Sequence, residues 1–234
     1  MNGEIHKDSV FYSRSDLRAD FIRRTYNHLA FAVLAFIAVE TLLLQWSGAE
    51  GLVYLMVDGY SWLLVMGAFI GVSGLADQWA RSEVSSQLQY LGLGLYVVAE
   101  AVIFLPLLYI AVNFSSPDVI PIAGMITALL LGGLTFTAFT TRKDFSFLRS
   151  ILAMGGFVAL GVIVASILFG FSLGIVFSTI MVAFAAGAIL YNTSNILHHY
   201  RPDQHVAASL ALFASVALLF WYLLQIVLSA AGEE

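Results

Sequence analysis

The fold is decided by residues 185–224, which read AAGAILYNTSNILHHYRPDQHVAASLALFASVALLFWYLL. This stretch contains two apolar runs, each long enough to cross a bilayer, joined by a short loop with basic and histidine side chains. A polar cluster from Asn192 to Asn195 closes the first run while the helical pattern continues. Polar groups at membrane depth are costly unless they face protein or water. We therefore predict that these two helices form the centre of a bundle.

The composition predicts a polytopic membrane protein. Of the 234 residues, 60% are hydrophobic and 11% are charged, whereas a soluble domain carries roughly 25% charged residues. The chain has no cysteine, which excludes disulfides, thiolate metal sites and a cysteine nucleophile. The first twenty residues contain no apolar run typical of a signal peptide, so we expect the first helix to act as the insertion signal.

Seven apolar runs have the length of a membrane span. We place them at 26–46, 60–76, 88–112, 119–140, 147–169, 173–197 and 206–229. Because the connections between them are short, no room is left for a soluble domain. The sequence therefore predicts an all-α membrane protein, a seven-transmembrane-helix bundle formed by residues 21–234, preceded by a polar cytoplasmic segment at residues 1–20.

The basic residues support this count of spans. All ten fall on the same side of a seven-span arrangement. They are Lys7, Arg14, Arg18, Arg23, Arg24, Arg81, Arg142, Lys143, Arg149 and Arg201. Because basic loops stay in the cytoplasm, we predict a cytoplasmic N-terminus and a C-terminus on the outside.

Two carboxylates lie inside predicted spans, Glu40 and Glu100. Glu100 lies about midway along the third span, where an exposed and ionised carboxylate is costly, so we expect it to be protonated, paired or facing water. It is interpreted either as a proton- or cation-binding group in a cavity or as a neutral side chain bonded to a carbonyl freed by Pro106. Glu40 lies closer to the outer face and is interpreted as structural or interfacial.

Two amides and three histidines are further candidates. Asn192 and Asn195 lie three residues apart on one helical face, where amides either link helices or line a polar cavity. His198, His199 and His205 are interpreted as part of a solvated, pH-sensitive loop rather than as metal ligands. We expect no metal site and no cofactor. No hydrolase or phosphate-binding motif occurs, and no predicted span has an interior histidine, so an enzyme is not expected.

Three segments carry a resemblance to a known family. They are FIRRTY at 21–26, TTRKDFSFL at 140–148 and GAILYNTSNI at 187–196, and the stretch 209–224 matches more loosely. With these segments the chain resembles the Bax inhibitor-1 family, particularly its bacterial YccA-like branch. The resemblance implies a seven-helix fold whose last helix is central, in the inner (plasma) membrane of a bacterium.

The resemblance also implies two functions. Members of the family are described as pH-sensitive calcium leaks, and the YccA-like branch is described as restraining a membrane-anchored ATP-dependent (AAA+) quality-control protease. The expected partners are therefore the lipid bilayer and that protease, with calcium as a permeant ion rather than a cofactor. No nucleic-acid partner is expected.

The chain departs from the family at the pH sensor of the leak. That sensor is a pair of carboxylates on the last two helices, coupled to an arginine near the end of the second. Asn192 and Ser215 fall at the positions of the two acids, and neither can titrate near neutral pH. Arg81 falls near the arginine's position. Either Glu100 replaces the pair or pH gating is absent.

Two functional interpretations stay open at this point. The first is a cation leak with Glu100 in the pathway, lined by Asn192 and Ser215. The second is a binding module that regulates the protease, with residues 1–20 as its cytoplasmic handle. Glu100 favours the leak, because a pure binding module leaves a carboxylate at that depth unexplained.

Overall fold

The computed structural model describes residues 15–82 and 85–232, and all secondary structure in these ranges is helical. The helices are α1 Ser15–Gln45, α2 Ala49–Val57, α3 Ser61–Ala80, α4 Ser86–Phe114, α5 Val119–Thr141, α6 Leu148–Phe169, α7 Gly174–His198 and α8 His205–Ala231. Seven of them are long and apolar enough to cross a membrane. The predicted seven-span, all-α fold is confirmed, and the protein is a multi-pass membrane protein.

One described helix is absent from the prediction. The helix α2 has nine residues, which is too short to cross a bilayer at about 20 residues a span. The span-length criterion therefore places this short apolar run in the connection between the first and second predicted spans. Of the predicted segment 1–20, residues 1–14 lie outside the described residues, and the remainder belongs to α1.

The helix α8 lies at the centre of the bundle. It packs against α1, α3, α4, α5 and α7, and fourteen of its residues are buried. Small side chains make this possible, since Ala207, Ala208 and Ser209 have no exposed surface and let neighbouring backbones come close. The central position predicted for the last helix is confirmed.

The first half of the bundle is closed by a tight contact between α3 and α4. Gly92 of α4 lies so close to α3 that an added Cβ would be 2.6 Å from both the Ala76 carbonyl oxygen and the Ala80 nitrogen. Only glycine allows this approach of two backbones. The contact fixes the position of α4, and therefore of Glu100 two turns further along.

The helix α6 lies at the periphery. Among its residues only Ala159 is buried, and α7 is the helix against which it packs most extensively. It ends at Gly170, whose positive φ of 71° stops the helix without a steric penalty. Because α6 does not pack closely on α3 within the described part of the chain, the bundle has a cleft on this side.

Candidate functional site

The cleft is a cavity of about 1020 Å³ bounded by α3, α4, α6, α7 and α8. Glu100, Asn192 and Ser215 all line it, although they belong to three different helices. The structure therefore brings together three of the residues that the sequence identified as candidates. Polar side chains on the wall of a cavity can contact water, which makes them tolerable at membrane depth.

Glu100 lies in the interior of α4 and is only 6% exposed. It is near the middle of that helix, so no turn at a membrane surface is close to it. The hydroxyl of Tyr96, one turn earlier on the same face, interacts with the Glu100 carboxyl group. No lysine, arginine or histidine occurs among the described residues that line the cavity with it.

Asn192 and Ser215 are hydrogen-bonded to each other across α7 and α8. The Asn192 Nδ2 donates to the Ser215 Oγ at 2.7 Å and to the carbonyl oxygen of Ala211 at 3.0 Å. The Ser215 hydroxyl donates to the same Ala211 oxygen at 3.0 Å. These bonds link the two helices and also place an amide on the cavity wall, so both interpretations of Asn192 apply. Neither side chain of this pair titrates near neutral pH.

A carboxylate missed at the sequence level, Asp77, also lines the cavity. The predicted second span ended at Ala76, so Asp77 was assigned to a loop, whereas α3 continues to Ala80. The spacing of Asp77 and Arg81, four residues apart with opposite charges, was the available signal for a continuing helix.

Arg81 pairs with Asp77 rather than with the Asn192–Ser215 pair. Its Nε lies 2.8 Å from the Asp77 Oδ2. The Asp77 carboxylate raises the pKa of Arg81 further above its ordinary value, while burial acts in the opposite direction. The positive charge at this end of α3 is therefore neutralised within the same helix and does not need a carboxylate on α7 or α8.

Glu40 and Asn195 lie away from the cavity. Glu40 is buried in α1, only 4% exposed, and neither carboxylate oxygen has a hydrogen-bond partner in the described part of the chain. Asn195 is half-buried near the end of α7. The structure thus separates these two candidates from the three that meet at the cavity.

Near the other end of the cavity, α7 and α8 are joined by a second polar contact. The Ser178 hydroxyl donates to the Gln225 Oε1 at 3.0 Å, and both residues line the cavity. Ser229, close to the end of α8, lines it too. Sequence analysis did not identify these residues, because single polar side chains near helix ends are common and carry little information.

The histidines are less solvated than predicted. His198 belongs to the last turn of α7 and is buried, with a ring nitrogen 3.0 Å from the carbonyl oxygen of Ser194. His205 begins α8, and its ring lies 5.0 Å from that of His28 and 6.5 Å from that of Tyr90. The helices extend further into the predicted loop than the apolar pattern indicated. Among the described residues, no group of three or more metal-ligating side chains occurs.

The turn between α5 and α6 is fastened to the end of α7. The Phe145 N–H donates to the Ser194 Oγ at 2.9 Å, and Asp144 lies 3.3 Å from His199. Partial burial acts to raise the pKa of Asp144, but the Ser146 N–H and His199 outweigh it and hold that pKa below its usual value. Two of the segments that carry the family resemblance, 140–148 and 187–196, therefore meet in space.

The family model for the inhibitor of apoptosis-promoting Bax1 matches residues 18–232. This chain belongs to the Bax inhibitor-1 family. An uncharacterized protein of Pseudomonas aeruginosa is 39% identical over 118 residues, 50% of this chain and 53% of the relative. The Escherichia coli protein named modulator of FtsH protease YccA is 35% identical over 111 residues, 44% of this chain and 50% of the relative. The matched region therefore spans about half the length of each of these two relatives.

A more distant relative matches over a longer region. The protein LIFEGUARD 4 of Arabidopsis thaliana is 28% identical over 220 residues, which is 90% of this chain and 85% of the relative. Together with the family model, this match extends the likeness to the whole described bundle. The family and the fold are therefore shared across most of the chain.

Proposed function

We propose that this protein is a cation leak whose pathway is the cavity between α3, α4, α6, α7 and α8, with calcium as a permeant ion. The observation that carries the proposal is that Glu100, Asn192 and Ser215 line the same cavity. A carboxylate attracts a cation, and amide and hydroxyl oxygens can replace part of its hydration shell. The leak explains why a carboxylate is kept in the middle of α4.

The extent of the cavity supports this proposal. Asp77, one turn from the end of α3, lines one end, and Ser229, near the end of α8, lines the other. In a bundle whose spans alternate in direction, these two helix ends lie at opposite membrane surfaces. The lining of the cavity therefore includes polar side chains near both membrane surfaces.

The orientation and the membrane form part of the proposal. The ten basic residues all fall on one side of the seven spans, which favours a cytoplasmic N-terminus and an external C-terminus. A relative from Escherichia coli O6:H1 bears the name inner membrane protein YccA. We propose the same bacterial inner membrane for this chain.

The test is calcium flux into liposomes that contain the purified protein. Glu100→Gln keeps the size and hydrogen-bonding capacity of the side chain and removes its charge. We expect it to reduce flux at least ten-fold, while Glu40→Gln, the matched control at a buried carboxylate outside the cavity, keeps the parent rate. Parent flux equal to that of empty liposomes, or full flux in Glu100→Gln, would contradict the leak.

The pH profile of the same flux tests the gate. The pair Asn192–Ser215 cannot titrate near neutral pH, so any pH dependence must come from another group, with Glu100 as the first candidate. If Glu100 gates the leak, residual flux in Glu100→Gln no longer changes with pH. An unchanged profile in Glu100→Gln would exclude Glu100 as the gate.

The second candidate function is regulation of a membrane-anchored AAA+ protease without transport or enzymatic activity. It is favoured by the name of a relative, modulator of FtsH protease YccA. Residues 1–20 are proposed as the handle. We expect such a protease to co-purify with the tagged full-length chain, and removal of residues 1–14 to slow the degradation of the chain. Absence of the protease from material extracted in mild detergent would count against this function.

A further inference from the structure

The walls of the cavity combine two carboxyl groups with aromatic rings. Glu100 and Asp77 are the carboxylates, and the described lining residues include no lysine, arginine or histidine. Asp77 has Arg81 as its partner just outside the cavity. Glu100 therefore leaves the cavity electrostatically suited to a positive charge.

The aromatic rings lie next to Glu100 along the cavity. Tyr96 is one turn before Glu100 and Phe104 is one turn after it, so both flank the carboxylate on the same face of α4. The Phe104 ring meets the Trp221 ring edge-on at 4.9 Å. Trp221 in turn is stacked on Trp62, with ring centroids 6.4 Å apart and planes inclined by 18°. The rings thus continue from Glu100 towards the start of α3.

This arrangement exceeds what a small metal ion needs. A calcium ion is held by oxygen ligands, whereas aromatic rings provide apolar surface and attract organic cations to their faces. The volume of about 1020 Å³ lies at the upper end of the range for small-molecule sites, roughly 300–1,000 Å³. The remaining walls are largely apolar, which suits a ligand whose charge is enclosed by hydrocarbon groups.

We propose that the cavity is a binding site for lipophilic organic cations. The charge lies beside Glu100, and the apolar groups pack against Phe104, Trp221 and Trp62. We expect such a cation to enter through the cleft between α3 and α6, which do not pack closely on each other in the described part of the chain. This inference goes beyond the leak, because a cavity can bind an organic cation without conducting any ion.

The test is equilibrium dialysis of the purified full-length protein in detergent with tetraphenylphosphonium. Its control is tetraphenylborate, which has almost the same size and shape with a negative charge. We expect saturable binding of about one tetraphenylphosphonium per chain and no saturable binding of tetraphenylborate. Detergent micelles without protein measure the unspecific partition of each ion.

Two pairs of variants locate the site. Glu100→Gln is expected to weaken tetraphenylphosphonium binding at least ten-fold, and Glu40→Gln to leave it unchanged. Trp62→Leu, in the aromatic wall, is expected to weaken it about three-fold or more, whereas Trp46→Leu, at an exposed ring outside the cavity, has no effect. Thermal unfolding of each variant establishes that it is folded, and the Trp62 pair keeps the test decisive should Glu100→Gln fail to fold.

Two results would overturn the inference. Equal binding of tetraphenylborate would show that the cavity recognises apolar shape and not charge. Parent affinity in both Glu100→Gln and Trp62→Leu would show that the cation binds elsewhere. Since the measurement needs no membrane and no flux, its failure leaves the leak intact, and a failed flux assay leaves the binding result intact.

Discussion

The helices α8 and α6 are similar in length and in apolar character but opposite in their surroundings. Fourteen residues of α8 are buried, whereas Ala159 is the one buried residue of α6. Five helices surround α8, while α6 packs mainly on α7. Lipid tails are as apolar as leucine side chains, so a hydrophobic helix is stable in either place. Both helices line the cavity, and α8 contributes Ser215, Gln225 and Ser229 to its polar lining.

The difference between the two helices is one of shape rather than of hydrophobicity. In α8 the alanines Ala207 and Ala208 are completely enclosed. In α6 the large side chains of Met154, Phe157 and Val158 are exposed. Small side chains let α8 approach several helices at once. The large side chains on α6 form a surface that contacts lipid rather than another helix.

The largest effect is expected from thiol labelling inside and outside the cavity. The chain has no cysteine, so a single introduced thiol reports on its own surroundings. Ser215→Cys faces the cavity, whereas Ser209→Cys, on the same helix, replaces a fully buried hydroxyl bonded to the Thr25 carbonyl oxygen. We expect a water-soluble methanethiosulfonate to label Ser215→Cys at least ten times faster. Equal rates would show that the cavity is dry or that α8 is exposed on both faces.

Steric substitutions should separate α8 from α6. Ala208→Leu adds three heavy atoms where no space exists, and we expect it to lower the free energy of unfolding by about 1–3 kcal/mol. Ala153→Leu makes the same change on the exposed face of α6, where the effect should stay within about 0.5 kcal/mol. Reversible unfolding in mixed detergent measures both. A loss of stability at Ala153 as large as that at Ala208 would mean that another surface covers α6.

The turn that precedes α6 is attached to the end of α7 mainly through the side chain of Ser194. Ser194→Ala leaves the Phe145 N–H without its 2.9 Å acceptor, and we expect a loss of about 1–2 kcal/mol in the free energy of unfolding. Ser166→Ala is the control, because in the described part of the chain that hydroxyl donates to the Ile163 carbonyl oxygen of its own helix. If the two variants are equally stable, the turn does not depend on Ser194.

The smallest effect is a pH dependence at the same turn. The pKa of Asp144 lies below its usual value because the Ser146 N–H and His199 stabilise the carboxylate against the opposing effect of partial burial. A lowered pKa in the folded state stabilises the protein above the unfolded value, about 4, and this contribution is lost as the pH falls through the folded value.

The side chain of Asp144 is 37% exposed, so solvent screens its charge and its contribution is only about 0.5 kcal/mol. We therefore expect Asp144→Asn to be slightly less stable than the parent at pH 6 and equal to it near pH 3. Thermal unfolding of both proteins across this range measures the difference. A difference that persists at pH 3 would assign the effect to the shape of the side chain and not to its charge.

Several features of the cavity were accessible from the sequence. A carboxylate in the middle of an apolar helix is rare enough to mark Glu100 as a candidate functional residue. Asn192 was identified from its polar cluster and Ser215 through the family resemblance, and the structure places the Asn192 Nδ2 2.7 Å from the Ser215 Oγ. Asp77 was missed, because the apolar pattern ends at Ala76 and charged residues follow it, whereas α3 continues to Ala80.

The sequence by itself determined the membrane class, the seven spans and the central place of the last helix. Span length and the short connections depend on local patterns of apolar and charged residues, and the family segments supplied the order of packing. Only the tertiary structure decided that Glu100 lines a cavity and Glu40 does not. Both are buried carboxylates in apolar helices. They differ in whether the neighbouring helices leave a gap beside the side chain. Such a gap depends on how α3 packs relative to α6 and α7, which lie far from it in the chain. This packing leaves no trace in the local pattern of any one helix.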